Sequence, residues 1–154
     1  MIESLIGWLT GASPGGTAAA PNELELALAA LLVEAAHGDH RFDDRERSVV
    51  ARLLARRFGL SSDDARALLA AGEKEANRSV ELFHLTRIIN ERLSFEQRVE
   101  LIEMLWEVAY ADGVLDQYED SLLRQVGGLI YVPDHERGEA RQRVLKRLKL
   151  SEAT

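Results

Sequence analysis

The chain has 154 residues, 46% of them hydrophobic and 29% charged, and 26 acids against 19 Lys and Arg give a formal charge of −7. That length suits one compact domain whose core needs no staple, and the lack of cysteine excludes disulfides, thiolate zinc sites, cysteine-ligated iron–sulfur clusters and cysteine nucleophiles. The acidic balance argues against nucleic acid as a partner; no apolar run approaches the about 20 residues of a membrane helix, and without a signal-peptide pattern the expected location is cytoplasmic.

Residues 1–9 place Ile2, Leu5, Ile6 and Leu9 on one helical face beside Trp8, which predicts a short amphipathic segment docked on the domain. A membrane anchor there is the lesser reading, because the segment has no Lys or Arg to meet anionic lipid. Residues 10–21, rich in Gly, Ala and Pro, break any helix and read as a flexible linker. The domain proper is expected over 22–150.

Few β-branched runs and three prolines leave an all-α domain of about seven helices with short joints. The first is expected over Glu23–His37 with Leu24, Leu28, Leu31, Leu32 and Ala35 inward. The second runs from Asp44 to Phe58 and stops at Gly59, a favoured residue just past a helix. The third opens after Ser61 or Ser62 and reaches Asn77; the fourth starts after Ser79. Ser94 and Gln97 form a capping box that announces the fifth helix, which extends to about Ala111. The sixth spans about Gln117 to Ile130, where Gly127 and Gly128 would allow close packing. The seventh begins after Pro133 and Asp134 and reaches Leu148. Its bases Arg137, Arg141, Arg143, Lys146, Arg147 and Lys149 are expected to form a solvated face, with an acidic partner as the alternative.

Sliding the chain by 73 residues aligns 31–50 with 104–123 and matches seven of twenty positions without gaps, where chance gives about one or two. The shared pattern is E-x-A-x-x-D-x-x-x-D-x-x-E, at a helix–helix corner both times. The same offset lays Ser61 on Asp134 as equivalent caps. Helices one to three and five to seven therefore read as two copies of a three-helix unit in a pseudo-twofold arrangement, with the fourth helix connecting them. Between Ser94 and Asp120, eight acids stand against one base, Arg98, so a strongly anionic surface is expected there.

These corners carry the candidate site. Asp43 and Asp116 sit at N-cap positions with Glu46 and Glu119 third in the helices that follow, so capping alone explains them, at about 0.5–2 kcal/mol per cap. Asp39 and Asp112 are different: they follow helix C-termini, where the dipole disfavours a carboxylate by roughly 0.3–1 kcal/mol, so each needs a compensating partner. Convergence of Asp112, Asp116 and Glu119, and of Asp39, Asp43 and Glu46, would give hard oxygen sites suited to calcium, magnesium or manganese. Glu34 and Glu107 lie about 140° round the helix from the repeat's first Asp and are expected to brace a neighbouring helix instead.

The segment Ala111-Asp112-Gly113-Val114, with Asp116 and Glu119 after it and Glu107 in the preceding helix, resembles the tellurite-resistance protein B (TerB-like) family. The stretch from Arg87 to Asp116 is similar to its proteobacterial branch, and the resemblance spans roughly Glu23 to Leu148. It implies an all-α fold, acidic residues that bind a divalent cation, and a link to tellurite and chemical-stress response. The first corner departs from the family pattern, with Gly38 before Asp39 and His40 where Gly113 stands.

The resulting expectation is a non-enzymatic binding or scaffold module for protein partners. Two other readings stand beside it. Glu34–His37 and Glu81–His84 form E-x-x-H pairs of the kind di-iron helical enzymes use, although no long helix precedes the first pair to supply a further Glu. A purely structural interaction domain would need the acids only as caps.

Overall fold

The computed structural model describes residues 23–37, 44–77, 82–110 and 117–149. The expected segment 1–9 and linker 10–21 lie outside them. All the regular structure among the described residues is helical: α1 (Glu23–His37), α2 (Asp44–Phe58), α3 (Ser62–Asn77), α4 (Leu82–Arg92), α5 (Phe95–Ala109), α6 (Gln117–Leu129) and α7 (Asp134–Leu148).

Most of these boundaries follow from local chemistry. Gly59 takes φ 67°, the left-handed conformation that only glycine adopts without cost, and Leu60 N–H returns to Ala55 O to close the end of α2. Ser61 Oγ accepts from Asp64 N–H and caps α3. Both reciprocal bonds of the capping box are formed at α5: Gln97 N–H donates to Ser94 Oγ and Ser94 N–H to Gln97 Oε1. At α7 the expected cap is corrected. Pro133 occupies the N-cap without a side-chain bond, while Asp134 is already helical and accepts from Arg137 Nη1. The fifth helix ends at Ala109 with Tyr110 as its C-cap, two residues short of the expected end.

Two helices form the interior. α1 was expected to bury one face, but Ala27 to Val33, Ala35 and Ala36 are all buried. A middle stretch apolar on every face belongs inside a bundle, and α3, α4, α5, α2 and α6 pack around this helix. α5 is the second central helix, buried from Met104 to Tyr110 as well as at Leu101 and Ile102, with α7 as its main neighbour. The closest approach is between α1 and α3. A Cβ added at Gly72 would lie 2.5 Å from Ala29 Cβ and 2.9 Å from Ala29 C, so only glycine lets the two backbones meet. Of the two glycines in α6, Gly127 is buried against Arg137, whereas Gly128 is exposed with nothing near its missing Cβ. Close packing therefore applies to one of them.

α6 closes with Val132 N–H on Gly127 O and Tyr131 N–H on Gly128 O. This is the two-bond Schellman closure, with Tyr131 at φ 61° where glycine is usual. Asn90 Nδ2 of α4 donates to Leu129 O and ties the same end down. On the other side of the bundle, Arg47 of α2 forks onto Glu73 of α3. Hydrogen bonding and then charge from Glu73 raise the proton affinity of that guanidinium further.

Candidate functional site

The corners expected to hold a cation fall mainly in segments outside the described residues: Asp39 and Asp43 in the first, Asp112 and Asp116 in the second. What the structure places is the frame around them. Glu46 and Glu119 are the third residues of α2 and α6, the position that a capping box requires. Glu119 is 9% exposed, which is low for a carboxylate in the first turn of a helix. Upstream, Asp112 follows the C-cap Tyr110 by two residues, beyond the last turn of α5. Its donors and those of Asp116 and Glu119 are all oxygen, the chemistry a hard divalent cation takes. No group of three metal-ligating side chains is assembled among the described residues.

The end of α5 is fixed by charge. Glu107, 6% exposed, accepts from Arg56 Nη2 at 3.0 Å. It also lies 3.2 Å from Arg147 Nη2 and 3.8 Å from Arg57 Nε. Arg147 reaches Glu103 as well, at 3.2 Å, and Arg143 Nε donates to Glu103 at 2.7 Å. The bracing role expected of Glu107 is thus found, and it joins α2, α5 and α7. Glu34, its counterpart in the repeat, has no ion pair among the described residues.

This network corrects two expectations. The bases of α7 are a solvated face only in part: Lys146 and Lys149 are exposed, and Arg143 and Arg147 pair with α5 while staying more than 40% exposed, whereas Arg137 is largely buried and Arg141 Nε donates to Tyr110 Oη at 2.8 Å. Arg141 also lies over the rings of Trp106 and Tyr110, 5.6 and 5.8 Å from their centroids. Part of the acidic stretch is likewise compensated rather than free, while Glu96 stays exposed. Glu103 and Glu107 are compensated by α7 and α2, and Asp120 pairs with Arg124 at 2.8 Å.

Sequence reasoning missed Arg56 and Arg57, although a signal was present. Val50, Leu53, Leu54 and Arg57 stand at i, i+3, i+4 and i+7, so Arg57 completes the buried face of α2 and requires a buried partner. For the E-x-x-H pairs, His84 is exposed on α4, so its imidazole is not held inside the bundle. The side chain of His37 and all of Glu81 lie outside the described residues.

The family model described as "Tellurite resistance protein TerB" matches residues 25–142. Among solved structures, a protein of unknown function from Porphyromonas gingivalis W83 superposes with a TM-score of 0.58 at 22% identity. The match covers 80% of this chain and 96% of that one, and it is a likeness of fold. No curated protein matches.

Proposed function

The chain belongs to the TerB family, and from that premise we propose a non-enzymatic binding module of tellurite-related stress response, with a divalent cation at the acidic corner between α5 and α6. The observation that carries this reading is the duplicated acidic pattern at a helix–helix corner, with Glu119 buried in the first turn of α6. Asp116 and Glu119 have a capping explanation; Asp112 does not. Two residues past the C-cap of α5 it adds negative charge where carbonyl oxygens already face outward, and a cation relieves both.

Asp112, Asp116 and Glu119 would hold the ion, with Asp39, Asp43 and Glu46 as a second, weaker set. Calcium, magnesium and manganese fit these donors better than zinc or copper, which favour nitrogen or sulfur. Bound charge would couple the corner to the rigid α2–α5–α7 network, and protein partners would read the state of the corner. A net charge of −7 suits such partners better than nucleic acid. No described helix is long and apolar enough to cross a membrane.

Calorimetric titration of calcium and manganese tests the reading. Saturable heat that is lost in Asp112→Asn and largely kept in Asp39→Asn is the expected result. No heat from either ion would leave the acids as caps and the protein as a structural interaction domain.

A further inference from the structure

The network around Glu107 has more positive charge than it needs. A cavity of about 370 Å³ is lined by Arg56 and Arg57 of α2, Glu107 of α5, and Arg147 and Leu148 of α7. A neighbouring cavity of about 250 Å³ shares Arg56, Glu107 and Leu148 with it and adds Val49, Arg52 and Leu53. The two form one groove. Four of its lining residues are arginines and one is a carboxylate. Even with Arg143 and Glu103 included, five guanidinium groups meet two carboxylates among the described residues of this network, three positive charges more than negative, on a chain of charge −7.

Glu107 orients these bases without exhausting them. Arg56 donates to it through Nη2 alone and is 64% exposed, so most of its five N–H donors remain open to the groove. Arg57 stands off at 3.8 Å, and its buried Nε has no hydrogen-bond partner among the described residues. Arg52 has no ion pair among the described residues. Converging guanidinium groups held on a rigid frame match the oxygens of a phosphate, whose charge of about −1.5 to −2 offsets the excess better than one carboxylate would. Val49, Leu53 and Leu148 line the same groove and offer an apolar wall beside the charged end.

We propose that this groove binds the phosphate group of a small phosphate ester between Arg56 and Arg147, with the apolar part of the ester against Val49, Leu53 and Leu148. None of these residues is among those proposed to hold the cation.

Calorimetric titration at low salt, in metal-free buffer, tests this with inorganic phosphate and phenyl phosphate as probes. The variants are Arg56→Gln and Arg147→Gln, with Arg66→Gln on α3 as a charge-matched control outside the groove. One phenyl phosphate per chain is expected, bound more tightly than inorganic phosphate and more weakly as salt rises. Each groove variant should lose about tenfold or more in affinity, while Arg66→Gln leaves it unchanged. Circular dichroism checks that Arg56→Gln is folded, as its exposure leads us to expect. Failure of both probes to saturate would overturn the proposal, as would equal losses in Arg56→Gln and Arg66→Gln. Equal affinity for the two probes would overturn the apolar half of it.

Discussion

Gly72→Ala sets two effects of known sign against each other. Alanine in a helix interior is favoured over glycine by roughly 0.5–1 kcal/mol, so propensity alone predicts a more stable protein. The new methyl would sit 2.5 Å from Ala29 Cβ and 2.9 Å from Ala29 C, against an ordinary carbon–carbon contact of about 3.5–4.0 Å. The second atom is backbone, so no rotamer change relieves it; α1 and α3 must move apart by about 1 Å along their interface. Overpacking of this kind costs about 1–3 kcal/mol, and loosening the most extensive helix pair in the fold puts the cost at the upper end. The net expectation is a loss of about 1–2 kcal/mol, which thermal unfolding would register as a fall of roughly 2–8 °C. Adding Ala29→Gly removes the nearer clash but not the backbone one, so it should restore part of the loss. A Gly72→Ala protein that melts at or above wild type would refute the reasoning.

Three further outcomes are expected. Tyr131→Gly should stabilise the protein by about 1 kcal/mol in denaturant titration, because it relieves a left-handed tyrosine that is 71% exposed and has little packing to lose; destabilisation would mean the ring has a contact role. Glu107→Ala should cost about 1.5–3 kcal/mol by the same assay, since it strips a buried acceptor from Arg56 and leaves three guanidinium groups facing one another. A neutral result would show that solvent already screens the network. Ser94→Ala removes one half of the capping box on α5 and should cost about 1 kcal/mol, with Gln97→Ala less than additive to it because the two bonds support each other.

Helix starts and stops were legible in the sequence because their causes are local. Ser61, Ser94 with Gln97, and Gly59 act within a few residues of the boundary they set, and the expected limits of α2 and α3 agree with the structure. What needed a neighbouring helix was not legible. Gly72 is set apart by Ala29 lying across from it, which spacing within its own helix does not reveal. The bases of α7 look like a solvent face when that helix is read alone. Glu103 and Glu107, four apart on α5, then prove to match Arg143 and Arg147, four apart on α7, and the charges pair off. Arg57 shows how a single charged residue on an apolar stripe signals a buried pair before its partner is known. For the candidate site, the third-position placement of Glu46 and Glu119 followed from capping rules. The burial of Glu119 depends on tertiary packing that no spacing rule supplies.

The cation proposed at the second corner is tested most directly by the melting temperature of Asp112→Asn against wild type, with and without calcium. Without metal, removing a carboxylate that the α5 dipole disfavours should raise stability by roughly 0.3–1 kcal/mol, so the variant melts above wild type. With saturating calcium the order should reverse, because only the wild type gains binding free energy in the folded state. Identical calcium responses in the two proteins, or no response in either, would contradict the account.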